Sequence, residues 1–257
     1  MKKALVLAVV LIAVSSAAPA QQAAGASPYL FFAESEVQKT HIGTWTTAVA
    51  TLVKAHDEHT RGVTWSAYRE LTGGPDVNVT FAHGFGKLAD LDEWTSNRRI
   101  LADALGAQQG GSVKDALTAG VNSSDRVLAL VEELSRQGSE EAAPRFLWVA
   151  TVRVADGKMT EYAALAKRVR RAFDQHAANV QWLCYANAIG GESSELLYFY
   201  PFDAFVEVDS WPSRREVLAS ALGDRQGARL ASALEAISET TTSLWKLEPQ
   251  LSRFAKD

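Results

Sequence analysis

Cysteine is almost absent from this sequence: Cys184 is the one cysteine among 257 residues. A single cysteine cannot form a disulfide within the chain, so the fold must be stabilised by packing alone. Cys184 lies in an apolar strand pattern, which favours a buried and unreactive thiol over a nucleophile.

Basic runs and reaction motifs are also lacking. The formal net charge is −4, and a mildly acidic chain without a basic run is not expected to bind nucleic acid or an anionic membrane surface. The sequence contains no glycine-rich phosphate loop, no His-Glu-x-x-His, no Gly-x-Ser-x-Gly and no Cys-x-x-Cys. Motifs therefore indicate no reaction class.

Long apolar runs are confined to the N-terminus. Lys2 and Lys3 precede 11 apolar residues at 4–14, fewer than the roughly 18 that a membrane-spanning helix needs. Small residues follow up to Ala20, a pattern typical of secretory signal peptides. We predict a signal peptide at 1–20, cleaved near Ala20 or alternatively at Ala24, and a periplasmic or secreted protein without a membrane span.

What the sequence does contain is one segment twice. Residues 29–136 align without a gap with 146–253 at a constant offset of 117, and 30 of the 108 aligned pairs are identical. Such a repeat predicts two similar units, joined here by a polar linker at 137–145. The identical pairs include Trp65 and Trp182, Tyr68 and Tyr185, His59 and His176, and Trp94 and Trp211.

Each copy has the order strand, helix, two strands, helical stretch and strand, which is typical of a ferredoxin-like unit. The predicted elements are 29–35, 38–56, 63–71, 77–83, 87–105, 113–121 and 126–131 in the first copy, and 146–153, 158–172, 180–188, 195–200, 202–208, 213–222, 226–238 and 244–247 in the second. A ferredoxin-like sheet carries helices on one face only, so its other face needs cover. We predict an α+β fold of two such units packed sheet to sheet.

This double pattern resembles the dimeric α+β barrel superfamily, including NIPSNAP and antibiotic-biosynthesis monooxygenase-like domains. It is also similar to exported bacterial proteins with the same double unit. The resemblance implies a pseudo-dimeric barrel within one chain, and therefore a monomer. It also implies two possible activities, a cofactor-independent monooxygenase or isomerase and, in some relatives, haem binding, which needs an axial ligand such as histidine.

Aromatic residues on the strands are the candidate site. Trp65 and Tyr68 are three residues apart on one strand, so one is expected to face the helices and the other the barrel interior. The third strand ends in His83 in the first copy and in Tyr200 in the second, so a specialised site would lie where the copies differ. The predicted ligand-binding residues are Trp65, Tyr68, His83, Trp182, Tyr185 and Tyr200, with core packing as the alternative role of the aromatic ones.

The pairs Asp57-x-His59 and Asp174-x-His176 end the first helix of each copy. Histidine there interacts favourably with the helix C-terminus, and a zinc site would need three or four ligands. We therefore predict no metal and no other cofactor.

Taken together, these patterns favour a protein that binds a small apolar or aromatic ligand between sheet and helices. The alternative is a cofactor-independent monooxygenase- or isomerase-like enzyme in which His83, Tyr68 or Tyr185 assists proton transfer. Haem binding is the third hypothesis.

Overall fold

The computed structural model describes residues 26–59, 63–72, 74–93, 97–136, 143–177 and 179–254. The predicted signal peptide and residues 137–142 of the predicted linker lie outside this part of the chain. The described residues form eight strands and six α-helices: β1 (Tyr29–Val37), α1 (Ile42–His59), β2 (Ser66–Glu70), β3 (Val77–Phe85), α2 (Asn97–Thr118), β4 (Val121–Leu130), β5 (Phe146–Val154), α3 (Met159–His176), β6 (Leu183–Ile189), β7 (Glu195–Phe202), α4 (Phe205–Asp209), α5 (Arg214–Leu222), α6 (Asp224–Glu235) and β8 (Ser238–Leu247). Short 3-10 helices occur at Leu88–Glu93 and Pro249–Leu251.

The eight strands close into one antiparallel barrel in the order β1-β3-β2-β8-β5-β7-β6-β4. Each half contributes four neighbouring strands, and the halves join at two places. Tyr68 of β2 pairs with Leu247 of β8, and Ala129 of β4 pairs with Ala186 of β6. This confirms the predicted α+β fold of two ferredoxin-like units.

Strand alternation divides the side chains between the barrel interior and the helical layer. Phe32, Leu128, Tyr185 and Trp245 belong to a buried cluster inside the barrel. Trp182 belongs instead to the cluster between the sheet and the helices of the second half. Trp182 and Tyr185 therefore lie on opposite faces of the sheet, as was predicted for the aligned Trp65 and Tyr68.

One end of the barrel interior is charged. The guanidinium of Arg126 on β4 contacts Glu34 of β1 at 3.0 Å and Glu195 of β7 at 2.5 Å. Burial raises the pKa of Glu34, although the charge of Arg126 acts in the opposite direction. Charged side chains thus occupy the barrel interior at this end, and the aromatic cluster lies farther along the same strands.

The C-terminal arm of each half binds to the other half. Arg253 bonds Asp57 of α1 at 2.8 Å, and Arg136 bonds Asp174 of α3 at the same distance. The two arginines also donate to the backbone carbonyls of Val63 and Val180 respectively. The two aspartates of the repeated Asp-x-His pairs therefore join the halves together.

Each arm also binds a tryptophan of the other half, and this tryptophan is identical in the two copies. Trp65 Nε1 donates to the Leu251 carbonyl at 2.8 Å, and Trp182 Nε1 donates to the Leu134 carbonyl at 2.7 Å. Backbone bridges join Trp65 to Arg253 and Trp182 to Arg136. The structure therefore places both tryptophans at junctions between the halves.

Several predicted element boundaries were wrong. The predicted strands at 63–71 and 180–188 are shorter at their N-terminal ends, because Trp65 and Trp182 pair with the exchanged arms rather than within their own sheets. The predicted last strands began too late, at 126 and 244, whereas β4 begins at Val121 and β8 at Ser238. Their early residues are polar and exposed, yet their backbones pair with β1 and β5.

The predicted break between two helices after residue 105 is confirmed, but the predicted gap up to 113 was too long. The break is the single residue Gly106, and the helix resumes directly after it because the apolar residues on both sides pack with those of α1. Gly106 has φ 78° and Gly223, its counterpart between α5 and α6, has φ 77°. Such values favour glycine, so both copies turn the chain at the same position.

We expect Arg253→Ala to lower the free energy of unfolding by about 2–4 kcal/mol, because it removes a partly buried cation from the Asp57 carboxylate and a donor from the Val63 carbonyl. The side chains of Arg253 and Asp57 are 9% and 25% exposed. The measurement is urea denaturation followed by circular dichroism. Lys158→Ala, which removes an exposed pair with Glu161, is the control and should cost less than about 1 kcal/mol. Equal losses for the two variants would contradict this role of the arm.

Candidate functional site

A cavity of about 510 Å³ lies between the sheet and the helices of the first half. We call it the helix-side cavity. Strands β1, β3 and β4 form its floor, and helices α1 and α2 form its roof. Its lining residues are Phe31, Ala33, Ser35, Trp45, Val49, Leu52, His56, His59, Val63, Trp65, Phe81, His83, Asn97, Ile100, Leu117, Ser123 and Asp125.

Apolar and aromatic side chains form most of this wall. Trp45 and Phe81 contact each other with ring centroids 6.0 Å apart. Trp65 is oriented by its bond to Leu251, so the arm of the second half positions a wall of the first-half cavity. Ser123 and Asp125, at the exposed start of β4, lie where the cavity meets solvent.

His56 forms the first polar point of the cavity. It is buried near the end of α1, and its ring lies edge-on to Trp65 at 5.0 Å. Its Nε2 lies 3.0 Å from Oδ1 of Asn97, and an amide oxygen accepts, so Nε2 carries a proton. Burial lowers the pKa of His56 and the Arg253 charge adds to this, against the Asn97 bond, which raises it. His56 therefore favours the neutral form.

His83 forms the second polar point, near the end of β3. Its Nδ1 donates to the backbone carbonyl of Thr64, and its ring stacks on Phe85 at 6.2 Å. Burial lowers the pKa of His83, although the Thr64 bond raises it. Because a carbonyl only accepts, the proton is on Nδ1, and Nε2 is the basic nitrogen of the ring.

The corresponding region of the second half is filled by larger aromatic side chains. Tyr198 replaces Phe81, and its hydroxyl bonds that of Tyr162 at 3.1 Å. Tyr200 replaces His83 and packs between Trp182 and Trp211, at 5.8 Å and 6.2 Å. Burial raises the pKa of the Tyr162 hydroxyl to about 12, so this region behaves as core.

Cys184 lies in the same second-half core. It is fully buried, and burial raises the pKa of its thiol to about 12. At neutral pH the sulfur is therefore protonated, and a protonated thiol is a poor nucleophile.

The predicted site residues thus separate into three places. Trp65 and His83 line the helix-side cavity. Tyr68 and Tyr185 line a second cavity of about 300 Å³ inside the barrel, which Trp182 borders and which we call the barrel-end cavity. Tyr200 lies in the aromatic core of the second half. Of the three candidate catalytic residues, His83 is thus separated by the sheet from Tyr68 and Tyr185.

The sequence did not single out His56 and Asn97 as ligand-binding residues. A signal was present in the repeat: His56 aligns with Phe173 and Asn97 with Arg214. Where a polar residue of the first copy aligns with a buried aromatic residue of the second, the first copy has a polar side chain at a position that the second uses for core packing. Among the described residues, no group of three or more histidine, cysteine, aspartate or glutamate side chains could hold a metal ion.

Known structures share this architecture. A protein from Lactobacillus acidophilus NCFM provisionally described as a monooxygenase has a TM-score of 0.50 and 7% identity, covering 86% of this chain and 94% of its own. A mutant chlorite dismutase from Candidatus Nitrospira defluvii in complex with cyanide has a TM-score of 0.50 and 12% identity, covering 90% and 93%. The fold is that of the dimeric α+β barrel. At these identities the likeness establishes the fold and nothing further.

No protein-family model matches the sequence, and the comparison with curated proteins gave no match. Within the described residues, no helix combines the length and apolar character needed to cross a membrane. The function has to be argued from the two cavities themselves.

We expect acid to destabilise the protein through His56 and His83. Both pKa values lie below the ordinary 6.5 in the folded state, so the unfolded chain binds more protons as pH falls below about 6.5. The stabilisation is complete above this pH and is lost as pH falls through the folded pKa values. Urea denaturation between pH 8 and pH 5 should show a steeper loss in wild type than in His56→Phe/His83→Tyr. Parallel curves would contradict burial of neutral imidazoles. Glu34 titrates in both proteins and cancels in the difference.

Proposed function

We propose that this chain is an exported protein whose first half binds a small, neutral, apolar or aromatic ligand in the helix-side cavity. The observation that carries the proposal is the difference between the copies. One fold is used twice, yet the first half has a cavity with histidines where the second has a packed aromatic core.

The size and wall of the cavity support this ligand class. Ligand sites are typically about 300–1,000 Å³ and mainly apolar, with a few polar groups that fix orientation, and the helix-side cavity holds about 510 Å³. Trp45, Trp65 and Phe81 offer ring faces and edges against which an aromatic ligand would pack.

The polar groups support a neutral ligand with a hydrogen-bonding group. His56 and His83 favour their uncharged forms, so they offer little attraction to an anion. The basic Nε2 of His83 suits a ligand that donates a hydrogen bond, such as a phenol or an indole. Among the described lining residues none is lysine or arginine, so the cavity wall offers no cation to pair with the carboxylates of haem, and the proposal does not include haem.

An enzyme is the second candidate, and one observation favours it. A histidine that stays neutral and keeps Nε2 basic at neutral pH is suited to accept a proton from a bound substrate. The fold likeness to a protein provisionally described as a monooxygenase is consistent with this role but does not carry it. Tyr68 and Tyr185 face the other cavity, so His83 would act without them.

The binding proposal is tested by replacing residues of the helix-side cavity with the residues that the second copy has at the aligned positions. We expect Phe81→Tyr/His83→Tyr to weaken binding of neutral aromatic compounds such as 2-naphthol and indole by about tenfold, or 1.4 kcal/mol, because it fills the cavity and removes a basic nitrogen. The measurement is isothermal titration calorimetry. Tyr200→His in the second half is the matched control and should leave the affinity unchanged. A flat wild-type screen, or equal affinities for all three proteins, would contradict the proposal.

The enzyme is tested with the compounds that bind. Incubated with the protein in air, a substrate should be converted, with a new product seen by liquid chromatography and mass spectrometry. His83→Asn, which keeps a hydrogen-bonding group but loses the base, should abolish turnover and leave binding within about threefold. Unchanged turnover would reject His83 as the base.

A further inference from the structure

The barrel interior holds a cavity that the proposed function does not use. The barrel-end cavity has a volume of about 300 Å³. Arg126 of the charged end does not line it, but its guanidinium lies 5.2 Å from the ring of the wall residue Phe32. Its wall is mainly apolar and aromatic, and includes Phe32, Tyr68, Tyr185 and Phe199. The sheet separates it from the helix-side cavity, so an occupant here would be a second molecule.

This cavity is bordered by small residues of the first copy. Ser66, Ala82 and Gly84 line it, and their counterparts in the second copy are Leu183, Phe199 and Pro201. Ser66 and Ala82 are directly paired across β2 and β3, so the small side chains form one patch. The second copy shows that larger apolar residues are compatible with this fold, yet the first copy leaves the space open.

Water and vacuum are both poor occupants of such a space. Water in this cavity finds hydrogen-bond partners at a few polar side chains such as Ser66 and Gln181, but not along the apolar walls. An empty cavity forfeits the dispersion contacts of its lining. The interior of a protein is otherwise close-packed. A small apolar molecule would restore these contacts.

The entrance is built symmetrically from the segments that precede each half. Tyr185 donates to the Ser27 carbonyl at 3.0 Å, and Tyr68 donates to the Pro144 carbonyl at 3.3 Å. These two carbonyls lie 117 residues apart in the sequence, which is the offset of the repeat. Glycine is favoured at position 84 beside Ser27, because a Cβ there would lie 2.7 Å from the Ser27 Cβ, closer than two carbon atoms can approach. The two segments are thus held over the barrel mouth by paired tyrosines.

The charge of the lining restricts the occupant. Among the described residues that line the cavity there is no carboxylate, and the cation Arg136 is engaged with Asp174 and two backbone carbonyls. Burial raises the pKa of the Tyr185 hydroxyl, so this phenol stays neutral. Its oxygen donates to Ser27 and has the capacity to accept a hydrogen bond as well.

We propose that the barrel-end cavity is a second binding site, for a neutral one- or two-ring aromatic molecule that carries a hydrogen-bond donor. The apolar rings would pack against Phe32 and Phe199, and the donor would bond a tyrosine oxygen. This site is independent of the helix-side cavity, so either can be present without the other.

The test uses 6-bromo-2-naphthol, whose bromine is located by anomalous scattering in soaked crystals and whose affinity is measured by calorimetry. Wild type should show bromine among Tyr68, Tyr185 and Phe199, with binding in solution. Ala82→Phe, which introduces the second copy's side chain, should remove this bromine and weaken that binding at least tenfold. If Ala82→Phe does not fold, Ser66→Leu takes its place. Thermal melting shows whether each variant is folded.

Phe81→Tyr/His83→Tyr is the control, because it alters the helix-side cavity and should keep the barrel bromine. The absence of bromine in the wild-type barrel would overturn the proposal. Bromine there without a corresponding loss of solution affinity in Ala82→Phe would also overturn it, as binding at crystal concentration only. Loss of helix-side binding alone would contradict the proposed function and leave this inference standing.

Discussion

The exchange of C-terminal arms between the two halves is the contact on which the rest of the structure depends. A four-stranded ferredoxin-like sheet has two unpaired edge strands and one face without helices. In this barrel the second copy pairs with the edge strands and covers the exposed face. The pairs Arg253–Asp57 and Arg136–Asp174 join the halves beyond the two strand pairings that close the barrel. Each arm also binds the tryptophan of the opposite half.

Because of this exchange, residues of the second half help to form the helix-side cavity of the first half. Leu251 and Arg253 come from the end of the second copy, yet one orients Trp65 and the charge of the other helps to lower the pKa of His56. Because the exchanged arms join the two copies, the region between sheet and helices can be filled with side chains in the second copy and retain a cavity in the first. Tyr198 and Tyr200 stabilise the second half by aromatic packing, and the aligned Phe81 and His83 leave the first half open.

The repeat made the architecture predictable from sequence, because an ungapped offset of 117 residues carries every strand and helix of one half onto the other. Strand alternation likewise predicted that Trp65 and Tyr68 would face opposite sides. The exchanged arms were not predictable in this way. A periodicity describes contacts within an element, whereas Arg253 meets Asp57 across 196 residues, and the aspartates were interpreted only as helix-end residues.

The site was predictable in part for the same reason. His83 stood out because it aligns with Tyr200, but His56 has the same kind of mismatch with Phe173 and was not singled out. Whether a polar residue lines a cavity depends on how helices and sheet meet in three dimensions, which sequence spacing does not contain. The position of Tyr68 and Tyr185 in a separate cavity follows from barrel closure, and only the structure shows it.

The most direct test of a specialised first-half cavity is the ¹⁵N spectrum of the histidine imidazoles at pH 7, recorded with and without saturating 2-naphthol. The account predicts neutral His56 and His83, with the His83 proton on Nδ1, and ligand-induced shifts at both while His176 of the second half stays unchanged. Binding that leaves His56 and His83 unaffected, or that moves His176 instead, would contradict it.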